Sequence, residues 1–498
     1  MRIHNAKLSD ARVMGRRGFL RLVAAAGAGL ALGPLAGHER EARAAPIQDR
    51  KLLFVITAAG GASIIDSFLP VTASEAGAAA PSIVAYPDAV VKQVNGSNIR
   101  HIMNLGFGGL FSTDYDLGTF VARHKDDMVV MTQETTSVNH VVAQKRAITG
   151  ANINRGRTLM EAVAEVHGEG LALPNCNLAG GSYVEPGEDP TLPARARAEV
   201  VSSPLFFALS TDGSRGIQGA PRKDLIARAR GVRGKLESKS AFLQRFGAAP
   251  MLARYDERRG AAPALEQADL LTKLMLLPQS EYQLSDYELE QSPMLARMLQ
   301  VFPNLGTGDA MEAQAAVGFL LAYYGLSAAV TVGPTLVPSF LDDGTIVDTP
   351  LIFDFSHNQH VLTQNVMWGR TMKMLDGIIT LLKEEDYMGD PSLGKMWDRS
   401  LVYVATDFGR SKERPAGASE FGSGHDLSNG NLLVSPLLKG NKVYGGVDPT
   451  TAKTFGFDPA TGEPDPGRVM REGDVYSLVC HAMGVEFPGR QDMPALVG

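Results

Sequence analysis

Cysteine is almost absent: Cys176 and Cys480 are the only two in 498 residues. No iron–sulfur spacing is formed, and no Gly-x-Gly-x-x-Gly fingerprint occurs, which argues against an oxidoreductase built on a cluster or a dinucleotide. A disulfide is one reading of the two thiols. Two small buried thiols is the favoured one, because Cys480 lies in the apolar pattern Val-Tyr-Ser-Leu-Val-Cys and a core this large needs no covalent staple. Internal repeats and low-complexity tracts are lacking as well, so neither a solenoid nor a disordered chain is indicated.

An excess of basic charge is also missing. The formal net charge is −6, and residues 1–44 hold eight Lys or Arg against three Asp or Glu, so the chain without them carries −11. Such a chain lacks the basic footprint that nucleic acid requires. Residues 1–44 themselves read as a twin-arginine export signal: Arg16-Arg17-Gly18-Phe19-Leu20, a short run rich in Gly and Ala, then Ala42-Arg43-Ala44-Ala45-Pro46 as a small-residue cleavage pattern. The apolar run falls short of the roughly 20 residues a span needs, and no later stretch reaches that length. The mature chain is therefore expected in the periplasm or outside the cell, with no transmembrane span.

The remainder, residues 45–498, alternates strands and helices. Lys51–Thr57 is a continuous apolar run closing in Ala-Ala-Gly60-Gly61, the pattern of a buried strand meeting a tight loop. Met128–Thr132, Leu401–Ala405 and Asn431–Val434 repeat it. His140–Thr149 reads as a helix ended by Gly150, and Thr158 as the cap of another reaching about His167. Leu362, Val366, Met372, Leu375, Ile379 and Leu382 recur at helical spacing and mark a core-facing stripe. Strand, helix, strand in one direction predicts an α/β fold with a mostly parallel sheet flanked by helices. Residues 185–305 read instead as a helical insertion, with helices near Leu225–Phe246 and Leu265–Leu277. The Arg-rich run Arg222 to Arg233 there is either a contact for an anionic substrate or a solvated helix face.

Acids and histidines gather in the last third: Phe-Asp354-Phe-Ser-His357-Asn-Gln-His360, Thr-Asp407-Phe-Gly-Arg410 and Gly-Ser-Gly-His425-Asp426. Each cluster stands where a loop leaves a strand or enters a helix, the place where α/β folds collect reactive groups. Carboxylate oxygen with neutral imidazole nitrogen suits a divalent ion such as zinc or manganese, with calcium or magnesium also open. The atoms of Asp354, one of His357 or His360, Asp407 and His425 are expected to converge within about 4–5 Å of a common point. His101, His124, His167 and His481 have no acidic partner at a telling spacing and are read as core or surface residues.

Gly60-Gly61-Ala-Ser63-Ile-Ile-Asp66-Ser-Phe68-Leu-Pro70 resembles the opening motif of a bacterial family catalogued as domain of unknown function 1501. Asn139-His140-Val-Val-Ala143-Gln144 to Thr149-Gly150, Asp354-Phe-Ser-His357, Asp407-Phe-Gly-Arg410, His425-Asp426 and the closing Gly473-Asp474 to Met483-Gly484 are similar to its later motifs, in order across nearly the whole mature chain. That resemblance implies kinship with the alkaline phosphatase and sulfatase superfamily: a three-layer α/β sandwich with metals held by Asp and His at the carboxyl edge of the sheet. It implies an exported metal-dependent hydrolase of phosphate or sulfate esters, acting on a small anionic ester or a sulfated or phosphorylated polymer. The alternative is a non-catalytic envelope protein of that fold that binds a partner or glycan. Asp354 and His357 would serve one metal, with Asp407 and His425 completing the site or holding a second, and Arg410 would either fork onto the ester oxygens or fix its loop by a salt bridge. The first strand ends in Thr57-Ala-Ala where active superfamily members have a metal-binding Asp. That leaves Asp66 as ligand or loop cap, Ser63, Thr135 or Thr136 as nucleophile, and His140 as active-site imidazole or helix-start residue.

Overall fold

The structure, a computed structural model, describes residues 45–498 apart from stretches within 108–114, 181–182, 213–218, 248–267, 278–288, 308 and 335–352. Its centre is an eight-stranded sheet built from β1 (Leu52–Ala58), β2 (Met128–Glu134), β3 (Asn175–Asn177), β4 (Glu199–Val200), β5 (Ala329–Val332), β6 (Ser400–Thr406), β7 (Ser428–Val434) and β8 (Lys442–Tyr444). The order across it is β8-β2-β7-β6-β1-β5-β3-β4. β1 lies between β6 and β5, parallel to both, with Leu52 opposite Ser400 and Leu53 opposite Ala329. Within this sheet only β7 runs against its neighbours, β6 and β2. The cause is its connection: β6 returns to β7 without a helix, through a ribbon pairing Gly409–Arg410 with His425–Asp426, and such a short return reverses direction where a helical crossover would not.

Every residue of β1 and β6 is buried, as a parallel sheet covered on both sides requires. Alternate side chains enter two separate cores. Leu52, Phe54 and Ile56 join one, with residues of α1 (Leu117–His124), α4 (Ala310–Tyr323) and α5 (His360–Glu384). Leu53 and Val55 join the other, with residues of α2 (His140–Thr149), α3 (Leu159–His167) and α6 (Glu472–Met483). Helices thus flank a mostly parallel sheet on both faces, an arrangement compatible with the expected sandwich.

Local chemistry sets the helix ends. Asn139 caps α2 by accepting the Val142 N–H, and Gly150 closes it at φ 58°, a left-handed conformation that glycine adopts without steric cost. Thr158 and Glu161 form a capping box on α3. Val366, Met372, Leu375, Ile379 and Leu382 of the predicted α5 stripe are buried. Cys176 and Cys480 are free, buried thiols in different cores, so they do not pair. The expected insertion at 185–305 contains the helices Pro204–Ser210, Lys223–Glu237, Ala241–Phe246, Leu270–Lys273 and Leu295–Val301. It also supplies edge strand β4, whose two residues are both exposed and carry no apolar alternation that a sequence reading detects.

Candidate metal centre

Three loops at the carboxyl edge of the parallel strands meet. The segment after β2 leads into α2 and presents His140 as its first residue. A single 3-10 turn, Phe353–His357, carries Asp354 and His357. The ribbon after β6 sets Arg410 opposite His425. Ligand atoms of His140, Asp354, His357 and His425 all lie within 4.8 Å of one another.

The separations fit an ion. Asp354 Oδ1 is 3.2 Å from His140 Nε2, 3.3 Å from His357 Nε2 and 3.9 Å from His425 Nε2, and the Nε2 atoms of His357 and His425 are 2.9 Å apart. A tetrahedron with metal bonds of about 2.0–2.1 Å has edges of about 3.3–3.4 Å; these four pairs bracket that spacing, and the two His140–imidazole pairs lie within 4.8 Å.

Groups behind the ligands select the tautomers. His140 Nδ1–H donates to Asp407 Oδ2 at 2.8 Å, and His425 Nδ1–H donates to the Val138 carbonyl at 2.8 Å. Each imidazole thereby turns its Nε2 toward the common point, where an entering ion would displace the Nε2 proton that His140 shares with Asp354, leaving the arrangement of metal-bound histidines. Hydrogen bonds to Asp354 and Asp407 push His140 up to about 9. Partial burial would raise the Asp354 carboxyl, but hydrogen bonds from His140 and Arg410 outweigh it and hold it far below the usual carboxylate range. Burial lowers His425, and its bond to Val138 only partly offsets this.

Asp407 is fully buried. Besides His140 it accepts the backbone N–H of Gly60 at 3.1 Å and of Gly61 at 2.7 Å. The glycine pair is required there. Gly60 sits at φ 95° and Gly61 at φ 80°, and a Cβ on Gly60 would stand 2.2 Å from the Asp354 nitrogen. The tight loop after β1 therefore clamps one carboxylate and makes room for the other.

Arg410 is buried, and its guanidinium donates to the carbonyls of Gly60, Phe353 and Ser423 and, at 2.8 Å, to Asp354 Oδ1. It ties the loops and the Asp354 carboxylate together, the contact that the second of its two sequence readings expected. Asp407 stands behind His140 and is not among the four residues that converge. Between His357 and His360, the turn settles the matter: Asp354 and His357, three apart, face the same point. His360 opens α5 and points into the core, its Nε2 3.1 Å from Asp66 Oδ1 and its Nδ1 2.8 Å from Ser423 Oγ. Asp66 also accepts the Tyr86 hydroxyl at 2.5 Å, so Asp66 and His360 form a buried pair of their own. Asp426 accepts the N–H of Ser428. Ser63 is fully buried, with its backbone held by Gln364 and Trp368. Thr136 donates its hydroxyl to Glu472 at 2.8 Å, and Thr135 is buried with its N–H on the Leu427 carbonyl.

Sequence reading did not anticipate the clamp of Gly60 and Gly61 on Asp407, although a Gly-Gly pair directly after a buried strand was the available signal. The Val138 carbonyl has none, since any residue supplies one. No protein-family model matches the chain, and a comparison with curated proteins finds no match.

Proposed function

We propose that the protein is an exported, metal-dependent hydrolase of phosphate or sulfate esters on an alkaline-phosphatase-like fold. The observation that carries this is the convergence of His140, Asp354, His357 and His425 on one point at the carboxyl edge of the sheet. Three imidazoles with one carboxylate favour zinc or manganese over calcium or magnesium, which prefer all-oxygen shells. Such an ion, when bound, supplies Lewis acidity toward an ester oxygen and lowers the pKa of water. The chain's own residues do the rest. Asp407 holds His140 in register, Val138 does the same for His425, and Arg410 restrains Asp354. The ligand side chains remain 20–43% exposed, so an ester has access from solvent. The sheet with helices on both faces and the Arg16-Arg17 signal pattern support the same reading.

A second reading has its own support. Four protein ligands complete a tetrahedral shell, the hallmark of structural zinc, and Thr136 is committed to Glu472 while Ser63 is buried. On that reading the protein is a non-catalytic envelope protein that binds a partner or glycan. Metal analysis of the purified protein, with assays on aryl phosphate and aryl sulfate, separates them. Stoichiometric metal with turnover that disappears in His425→Ala supports the hydrolase. Metal without turnover leaves the second reading, and absence of metal after incubation with zinc, manganese or calcium overturns the metal centre on which the hydrolase rests.

A further inference from the structure

Far from the metal centre in sequence, residues 222–246 carry eight Lys or Arg and two Asp or Glu on an otherwise acidic chain. They form the helices Lys223–Glu237 and Ala241–Phe246, neither of which has a buried residue. Leu225, Ala229, Val232 and Leu236 fall on one face at helical spacing. That face points outward: Leu225, Val232 and Leu236 are 49%, 57% and 67% exposed. The partly covered positions are Ile226, Arg230, Gly234 and Glu237, which lie on a different side of the helix. Arg228 and Lys235 border the outward stripe on one side and Arg233 on the other. Phe242 and Phe246 continue it, 59% and 47% exposed with ring centroids 5.3 Å apart. A helix on a water-soluble protein normally turns its apolar stripe inward; this one is inverted.

We propose that this arm docks the protein on an anionic phospholipid bilayer, lying in the headgroup layer with the Leu225–Leu236 stripe and the two phenylalanines at the acyl boundary. The cations flanking the stripe then reach lipid phosphates, the arrangement an interfacial amphipathic helix needs. Charge complementarity selects this occupant, because the arm is basic and the rest of the chain would be repelled by the same surface. Nucleic acid fits less well, since its phosphates would face leucine and valine. No described helix is long and apolar enough to cross the membrane, so the contact is peripheral. The inference does not depend on the metal centre.

The test uses the chain without residues 1–44, which keeps every described strand and helix, in co-sedimentation with vesicles of equal parts phosphatidylcholine and phosphatidylglycerol or of phosphatidylcholine alone. Binding to the anionic vesicles should exceed that to neutral ones by at least about tenfold and disappear in about 0.5 M salt. The stripe variant Leu225→Ser, Val232→Ser, Leu236→Ser and the charge variant Arg228→Gln, Lys235→Gln, Arg245→Gln should each lose it with unchanged circular dichroism. Absence of binding to anionic vesicles, or binding that survives in both variants, overturns the proposal. So does a dimer that the stripe variant dissociates without any vesicle binding, which would show that a second copy covers the face.

Discussion

Replacing Asp407 by Asn tests the logic of the centre, because it changes one atom without removing a ligand. The two carboxylate oxygens divide their work: Oδ1 accepts from Gly61 and Oδ2 accepts from Gly60 and His140. Asparagine has a single oxygen. If it stays on Gly61, the amide NH2 faces His140 Nδ1, donates to it and moves the imidazole proton to Nε2, the atom meant for the ion. If the amide turns over, its oxygen still accepts from His140, but the NH2 meets the N–H groups of Gly61 and Phe408 and leaves donors opposed in a buried site. The first arrangement opposes only the longer Gly60 contact, so it is favoured, and it weakens the metal. Loss of such an orienting partner costs roughly 10–100-fold in affinity, about 1.4–2.7 kcal/mol, and the unmatched buried donor costs about 1–3 kcal/mol of fold stability.

Competition with a chelating dye at neutral pH, for zinc and for manganese, measures the first quantity, and urea unfolding of the metal-free protein measures the second. Asp426→Asn is the control. It lies beside His425 in the same ribbon but outside the cluster, so its metal affinity should match the parent. If Asp407→Asn binds zinc within about twofold of the parent, the carboxylate does not set the His140 tautomer and the reasoning fails.

Other perturbations follow from the same structure. His425→Ala and Asp354→Ala each delete a ligand, so zinc at 100 times the parent's Kd, which should stabilise the parent by about 2.7 kcal/mol, should leave both variants' melting temperatures unchanged; an equal upward shift would remove these residues from the shell. Gly60→Ala forces a Cβ to within 2.2 Å of the Asp354 nitrogen at a φ of 95°, so it should cost more than about 2 kcal/mol in urea unfolding and weaken metal binding at once; parent-like values in both would contradict the clamp. Burial holds His167 down to about 4, with Nε2–H on the Met483 carbonyl and Nδ1 accepting from Lys51. Between the ordinary imidazole value and that lowered one, the unfolded chain takes up a proton that the folded chain refuses, so stability falls with falling pH by about 3 kcal/mol in all. His167→Gln should lose less stability than the parent between neutral pH and pH ~4, and parallel pH curves would show that the imidazole is not held neutral.

Much of the site was legible because its chemistry is carried by residue type. Asp354, His357 and His425 stood out as acids and imidazoles beside glycine-rich loops, whereas His140 was open between an active-site imidazole and a helix-start residue and was not in the set expected to converge. Asp407 was legible as a participant but not as a supporting one, since ligand or support depends on whether an ångström-scale gap holds a metal or an imidazole. His360 was equally eligible by type; only the backbone turn over Phe353–His357 sends it to Asp66. In the fold, long apolar strands such as β1, β2 and β6 announced themselves, whereas β3 and β5 have three and four residues and too little pattern to register. β7 was visible as a strand, but its direction was not. That depended on the return through Gly409–Arg410 and His425–Asp426, a ribbon too short to have a periodicity.

The charges around the cluster connect its geometry to the kind of ester proposed. Asp354 and Asp407 are opposed by the buried guanidinium of Arg410 and by His140, which is protonated at neutral pH with its pKa pushed up to about 9, so with the other imidazoles neutral the cluster without an ion has no net charge to attract an anion. A divalent ion that displaces the His140 proton changes that to +1. Because Asp407 is buried behind His140 and Arg410 is enclosed by carbonyls, neither can turn outward to meet a substrate, and the exposed faces of His140, Asp354 and His357 are what an approaching molecule sees. On the proposed reading, attraction for phosphate or sulfate at this point would come from the ion, and affinity for an anionic ester should rise and fall with metal occupancy. The protein's part is to bring three imidazoles and one carboxylate oxygen within 4.8 Å of one another, and the groups behind them, from the Gly60-Gly61 clamp on Asp407 to the Val138 carbonyl on His425, serve that end.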